Sequence, residues 1–459
     1  MENLNVSIFR QYDIRGKADS DLTSDVVTHL GRAVGTWIQQ KGILELAVGA
    51  DNRLSSPRLK QALIDGLMET GCRVLDLGTV VTPMLYYAPV FYNLGAGIMV
   101  TGSHNPPDEN GFKIALGQGT IYGDDIQELR FLMESEQYLS GKGSVASADI
   151  SSPYFAMLME KINLGRRLKV AVDCGNGTAS LFAREIMANW NCEVLSLFCE
   201  SDPTFPNHHP DPVKSENLEI LKNEVLKQKC DLGIAYDGDA DRLGVVDDKG
   251  EIIWGDTLMA LYWREILERQ PGSAAIVEVK CSQALIDEIQ RMGGNPLMYK
   301  TGHSLIKAKM KELHAPFTGE MSGHMFFADE YFGFDDAFYA SGRLLRILSE
   351  TCRPLSELVA EVPKYYSTAE TRVPCGDEVK FEIVDRMVAH FRNIFPIIDV
   401  DGARVLFDGG WGLVRASNTQ PVLVARCEAK TPEQLESICH QMHETLVKVG
   451  GVKPFRWDY

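Results

Sequence analysis

The chain lacks any run of eighteen apolar residues, so it holds no segment built to cross a bilayer as a helix. Its first ten residues, Met1 to Arg10, lack the basic flank and apolar stretch of a secretory leader. A cytoplasmic protein, neither secreted nor membrane-spanning, is expected. Positive charge is also short: 46 Lys and Arg against 63 Asp and Glu leave a net charge of −17. That balance excludes nucleic acid or an anionic membrane as partner, because both need a summed positive field. Phosphorylated small molecules are still allowed, provided basic residues gather locally. Ten cysteines are scattered with no C-x-x-C pair, which excludes a disulfide framework or a zinc ribbon and fits reduced thiols. Cys174 and Cys281, beside strand ends, read as small core residues rather than reactive thiolates. No G-x-S-x-G elbow accompanies any candidate serine, so an acyl-transfer triad has no support.

What the chain does have is length, 459 residues at 45% apolar, enough for several domains. The first three quarters repeat one pattern of strand, helix, strand, helix, strand and unusual loop. Its first copy has strands at 46–49, 73–77 and 96–100 and ends at Thr101-Gly102-Ser103-His104-Asn105-Pro106. A second, with strands at 168–172, 193–197 and 232–236, ends at Asp237-Gly238-Asp239-Ala240-Asp241-Arg242. The third, with strands at 275–279, 296–299 and 316–318, ends at Gly319-Glu320-Met321-Ser322-Gly323-His324. Ser56-Pro57 predicts a helix cap with a first-turn proline, and Gly71 a stop. Strands alternating with helices predict an α/β protein with mainly parallel sheets, whose ligands collect beyond the carboxyl ends of the strands. All three loops lie at such ends. From about residue 365 the pattern changes to strands near 405–407 and 421–425 and a helix over 432–449, a smaller α+β domain.

Three carboxylates at alternate positions, Asp237, Asp239 and Asp241, suit one hard cation, and magnesium in particular, which leaves coordination positions for a phosphoryl oxygen. Alternation places them on one side if the loop is extended, with Gly238 letting it curl. An EF-hand loop would need glycine at its sixth position, where this chain has Arg242. Ser103 is a poor nucleophile by itself and needs a base, a metal or prior phosphorylation. A magnesium loop with Arg242 and a lysine supplies what phosphoryl transfer demands, in-line positioning and charge neutralisation. His208-His209 reads as a polar loop rather than a metal pair.

Five segments in order, Phe9 to Gly16, Thr101 to Pro106, Asp237 to Arg242, Gly319 to His324 and Arg415 to Thr419, resemble the α-D-phosphohexomutase superfamily. The resemblance is to its bacterial phosphomannomutase/phosphoglucomutase group and covers essentially the whole chain. It implies four domains around a central cleft, here 1–148 (phosphoserine loop), 149–251 (metal-binding loop), 252–363 (sugar-binding loop) and 364–459 (phosphate-binding lid). The implied reaction interconverts hexose 1-phosphate and hexose 6-phosphate through a phosphoserine at Ser103 and a hexose 1,6-bisphosphate, which also serves as activator. By the same likeness Mg2+ is held by Asp237, Asp239, Asp241 and the phosphoryl group on Ser103. Arg15, Lys113, Arg242 and His324 are implied in proton transfer or charge stabilisation, and His324 is the better acid/base because a lysine would need a lowered pKa. Glu320 and Ser322, within a loop that includes Met321, Gly323 and His324, are implied to grip the sugar. Tyr12, Lys280, His303, Arg415, Ala416, Ser417, Asn418 and Thr419 are implied to hold phosphate or sugar. Gly102, where alanine is customary, is expected to loosen the serine loop. Ala50, where a basic residue often stands, leaves one charge fewer there, and Gln420 sits at the edge of the phosphate loop. The alternatives are a phosphoglucosamine mutase, a phosphatase using the same serine, and a non-catalytic sugar-phosphate-binding paralogue.

Overall fold

A computed structural model describes residues 4–117, 119–418 and 420–458. In the first unit four parallel strands, Ala96–Val100, Glu45–Ala50, Arg73–Thr79 and Ser144–Ser147, form the body of a seven-stranded sheet. Strands Glu109–Leu116 and Ile14–Lys17 extend it in antiparallel fashion. The second unit has a five-stranded sheet in which Glu193–Leu197, Lys169–Asp173 and Leu232–Tyr236 run parallel, followed by antiparallel Leu243–Asp247 and Ile252–Ile253. In the third, Ala274–Glu278 pairs in parallel with Asn295–Tyr299, and the short antiparallel pair Phe317–Gly319 and Met325–Phe327 lies beside it. The Thr318 hydroxyl joins the two pieces by donating to the Ile276 carbonyl at 2.9 Å. The sheets are therefore mixed rather than mainly parallel. The antiparallel strands matter because the first two special loops each turn from a parallel strand into its antiparallel neighbour and the third is the turn of the short antiparallel pair, which fixes both ends of every loop.

The last unit is an antiparallel sheet of Tyr366–Ser367, Thr371–Pro374, Val422–Ala429, Gly410–Ala416, Ala403–Phe407 and Ile397–Ile398, backed by helices Lys380–Arg392 and Pro432–Thr445. It has its own core, including Val405, Val414, Leu423, Met387 and Met442. Full burial of each such side chain contributes about 1.5–3 kcal/mol. Strand Gly410–Ala416 and helix Lys380–Arg392 go beyond the sequence reading, and the predicted helix over 432–449 ends in a π turn from Leu446 to Gly450. The helix Ser56–Glu69 starts and stops near Pro57 and Gly71 as expected. Ser56 does not cap it, however; its hydroxyl donates to Asp51. Among the described residues no helix is long and apolar enough to cross a membrane.

Candidate active site

Ser103 is buried in the turn between strands Ala96–Val100 and Glu109–Leu116, at φ 49°. Left-handed backbone costs a side-chain-bearing residue about 1–2 kcal/mol. Two things hold the turn there. Asp51 accepts the Gly102 N–H at 3.0 Å, and the Arg53 guanidinium donates to the carbonyls of Ser103 (2.7 Å), Asn105 (2.6 Å), Pro106 (2.5 Å) and Glu109 (3.0 Å). A Cβ on Gly102 would lie 2.5 Å from that guanidinium and 2.8 Å from the Glu109 carbonyl. Gly102 is thus the seat of a buried arginine, not a loosening of the loop. Asp51 and Arg53 are the residues sequence reasoning undervalued; a D-x-R at the end of a parallel strand was the available signal.

The acidic loop follows strand Leu232–Tyr236. It is not extended: the Ala240 N–H donates to the Asp237 carbonyl at 3.2 Å and Ala240 has φ 58°, so a turn brings the three carboxylates together. Ligand-capable oxygens of Asp237, Asp239 and Asp241 lie within 4.8 Å of one another, all buried. Gly238 is needed because the Ser103 carbonyl packs where a Cβ would stand. The Ser103 hydroxyl donates to Asp237 Oδ2 at 2.9 Å, and Thr82 donates to Asp239 Oδ2 at 2.5 Å. Asp239 Oδ1 and Asp241 Oδ1 are buried without a hydrogen-bond partner. Unsatisfied carboxylate oxygens of this kind are what a hard cation takes up, so the residues present fit a metal ion. Burial, then Asp241 and Asp239, push the Asp237 carboxyl well above its ordinary range.

Lys113, on strand Glu109–Leu116, places its ammonium 2.8 Å from Asp239 Oδ2 and also against Asp241. Burial opposes its charge, yet Asp239 and Asp241 outweigh burial and hold the pKa well above that of a free lysine. That direction is opposite to what a lysine base requires; the side chain is a neutralising charge. Burial likewise opposes ionisation of Asp241, and the Lys113 ammonium, the strongest of its cationic neighbours, reverses it to a lowered pKa. Arg15 is held by Asp13 and reaches Asn105 in the serine loop at 3.4 Å.

The third loop is stitched to the second: the Leu243 N–H donates to the Gly323 carbonyl at 3.1 Å. Arg242 Nε donates to His324 Nε2 at 2.9 Å, so the neutral ring carries its proton on Nδ1, which faces Asp335 Oδ2 at 3.0 Å. His303 stacks on His324 with ring centroids 5.6 Å apart, and burial, then Lys307, push its pKa well below the ordinary value. Glu320 is buried, accepts the Gly302 N–H at 2.8 Å and lies 3.3 Å from the Ser322 hydroxyl; burial, then Glu278, raise its pKa. Met321 donates its N–H to Glu278 at 2.9 Å. Lys280 lies between Glu278 (3.1 Å) and Glu370 (3.0 Å).

At the far side, three units meet around Tyr12. Its hydroxyl donates to the Thr301 carbonyl at 2.9 Å and accepts from the Asn418 amide at 2.7 Å; burial is the main cause of a pKa pushed up to about 12. Arg415, buried on strand Gly410–Ala416, donates to Asp401 at 2.9 Å, and Asp401 also accepts the Thr301 N–H at 3.0 Å. Burial opposes the Arg415 charge, and Asp401 more than restores it. Ala416 closes the strand opposite Leu423, and Ser417 accepts the Gln420 N–H at 3.1 Å. Thr419 lies outside the described residues. Gln420 points its side-chain oxygen at Arg372, 2.7 Å away. Asp401 and Asp335 lie outside the five segments that carried the sequence reading, and nothing in Asp399-Val400-Asp401 or Asp335-Asp336 ties them to a site. His208 and His209 are loop residues as read, the first 3.0 Å from Asp173 and the second on the His104 carbonyl. A groove of about 620 Å³, lined by Phe155, Met159, Ile162 and Trp190 among others, lies apart from all these loops.

A serine turn locked against an acidic metal loop, with basic and sugar-compatible groups from two further units, defines a multi-domain enzyme class that moves phosphoryl groups. The comparisons specify it. Profiles described as phosphoglucomutase/phosphomannomutase, alpha/beta/alpha domains I, II and III match residues 6–139, 152–250 and 254–366, and the C-terminal domain of the same family matches 370–445. A phosphomannomutase/phosphoglucomutase of Pseudomonas aeruginosa is 47% identical over 452 residues, 98% of each chain. A phosphoglucomutase of Neisseria gonorrhoeae is 44% identical over 95% of this chain and 96% of its own. The crystal structure of a phosphoglucomutase/phosphomannomutase family protein from Burkholderia thailandensis superposes with a TM-score of 0.94 at 40% identity, covering 99% of this chain and all of the other. The chain belongs to the phosphoglucomutase/phosphomannomutase family.

Proposed function

We propose that this enzyme interconverts hexose 1-phosphate and hexose 6-phosphate, of mannose, glucose or both, through a phosphoserine at Ser103 and a hexose 1,6-bisphosphate. The observation that carries this reading is the 2.9 Å contact of the Ser103 hydroxyl with Asp237, inside a buried acidic loop that still has two unpartnered carboxylate oxygens. Mg2+ bound by Asp237, Asp239, Asp241 and a phosphoryl oxygen on Ser103 would neutralise charge on the transferring group.

The side chains around it divide the remaining work. Lys113 and Arg242 bring fixed positive charge to the transferring phosphoryl, and Arg15 does so from the first strand. His324 is the group we assign to proton exchange with the sugar hydroxyl, through Nε2 once Arg242 turns from it to the phosphoryl group. Glu320 and Ser322 are placed to hold two neighbouring sugar hydroxyls, with Met321 and Gly323 setting the loop. The idle phosphate takes Arg415, Ser417, Asn418 and Thr419, with the Ala416 backbone, Tyr12, Lys280 and His303 around it. A guanidinium with hydroxyl and amide donors holds a phosphate without a metal. One reactive serine and one passive cradle let the sugar be phosphorylated at either end by reversing its orientation. We assign the functional units to 1–148, 149–251, 252–363 and 364–459, and a cytoplasmic setting with phosphosugars as ligands suits the reduced thiols and the acidic surface.

A coupled assay with mannose, glucose and glucosamine 1-phosphates, Mg2+ and catalytic bisphosphate tests the reading. Turnover of the mannose or glucose ester supports it, whereas turnover of the glucosamine ester alone selects the phosphoglucosamine mutase. Net release of inorganic phosphate identifies a phosphatase, and binding without turnover a non-catalytic paralogue.

A further inference from the structure

Ten thiols are distributed through the chain; Cys427 and Cys439 interact inside the core of the last unit, and Cys174 meets Cys199 at the strand ends of the second. Cys174 follows strand Lys169–Asp173 and Cys199 follows the parallel neighbour Glu193–Leu197; Asp173 is registered opposite Leu197, so the two cysteines leave adjacent strand ends one residue out of step. Phe198, at φ 50°, turns the second chain back, and the two sulfurs lie 3.2 Å apart. Cys174 is fully buried and Cys199 half-buried, so Cys199 is the more accessible of the two residues.

We propose that Cys174 and Cys199 form a reversible redox modification site, closing to an intramolecular disulfide when the protein meets a peroxide. The two thiols behave differently, as such a pair must. Hydrogen bonding from Cys174 holds the Cys199 pKa below that of a free thiol, while burial pushes Cys174 well up. The Cys199 thiolate attacks one peroxide oxygen, the O–O bond breaks, and a sulfenic acid forms with release of water. Cys174 sulfur then attacks Cys199 sulfur, the S–OH bond breaks, and the thiol proton leaves with hydroxide as a second water. Two thiols and one peroxide thus give one disulfide and two waters. Dithiol reductants reverse it by exchange. This differs from the reading of Cys174 as an inert core residue, which its burial alone supports.

The linkage would staple the turn behind the metal loop. Gly177 donates its N–H to the Cys174 carbonyl at 2.8 Å, Thr178 donates to the Gly238 carbonyl at 2.9 Å, and Asn52 donates to the Thr178 hydroxyl at 3.0 Å. The site itself does not depend on the mutase reading, and its test does not use activity. Native full-length protein is treated with hydrogen peroxide under non-denaturing conditions, then mapped by intact mass and non-reducing peptide digestion. We expect loss of two hydrogens, a linked peptide pair joining Cys174 to Cys199, reversal by dithiothreitol, and no such pair in Cys199→Ser. Full alkylation of Cys199 after peroxide, linkage only between other cysteines, or oxidation confined to the exposed Cys352 would overturn the proposal.

Discussion

The surroundings of Ser103 and those of Arg415, the proposed phosphate cradle, are built from different materials. Around Ser103 the charge is acidic, buried and interlocked through main-chain atoms: the serine carbonyl rests on Gly238, and Arg53 collects four loop carbonyls. Around Arg415 single side chains from three units share partners, with Thr301 touching both Tyr12 and Asp401. A reacting phosphoryl needs exact placement, so rigidity is built into the backbone. An idle phosphate needs only to be held, and side-chain donors suffice.

Of the changes that leave Ser103 in place, removing one ligand from the rigid side should have the largest effect. Asp239→Asn takes a charge from the metal loop and from Lys113, and we expect the magnesium midpoint of turnover to rise on the order of a hundredfold; an unchanged titration would erase the distinction between the two regions. Arg415→Ala should act on the holding side, raising KM by roughly ten- to a hundredfold with a smaller change in kcat, since charge-assisted contacts to phosphate contribute equally before and during chemistry. An equal fall in kcat would mean the cradle is not passive. Gly102→Ala sharpens the point about rigidity. Its methyl would press on Arg53 and the Glu109 carbonyl, so a thermal melt should show a loss of about 1–3 kcal/mol, while a neutral or stabilising result would restore the view of Gly102 as mere looseness.

The smallest effect concerns the link between the third and fourth units. Lys280 holds Glu370 at about 2 against an ordinary 4.5. A depressed carboxylate stabilises fully above its unfolded value and loses that contribution as pH falls through the folded one. Glu370→Gln should therefore be less stable than the parent above 4.5, with the difference fading toward pH 2; urea midpoints across that range check it, and a pH-independent difference would remove Lys280 as the cause.

The same contrast explains what could be read from residues alone. The metal loop is six consecutive residues after an apolar strand, and the three repeat copies ended within a residue or two of the observed strands, because contiguous apolar runs and turn residues are local signals. The cradle draws on residues 12, 301, 401, 415 and 418, which no spacing connects; only the family likeness pointed to most of them, and nothing pointed to Asp401. Strand Gly410–Ala416 was missed because Gly410 and Gly412 break its apolar run, although it carries Arg415. The direction of the Lys113 pKa was equally hidden, since it depends on carboxylates more than a hundred residues away along the chain.

The central claim is that Ser103 carries the phosphoryl group beside the acidic loop. Phosphopeptide mapping after incubation with a hexose 1,6-bisphosphate and Mg2+ tests it directly. One phosphoryl group on Ser103, absent from Ser103→Ala together with a loss of turnover of about a thousandfold or more, is the expected result. Phosphate at another residue, or near-normal turnover by Ser103→Ala, would contradict the account.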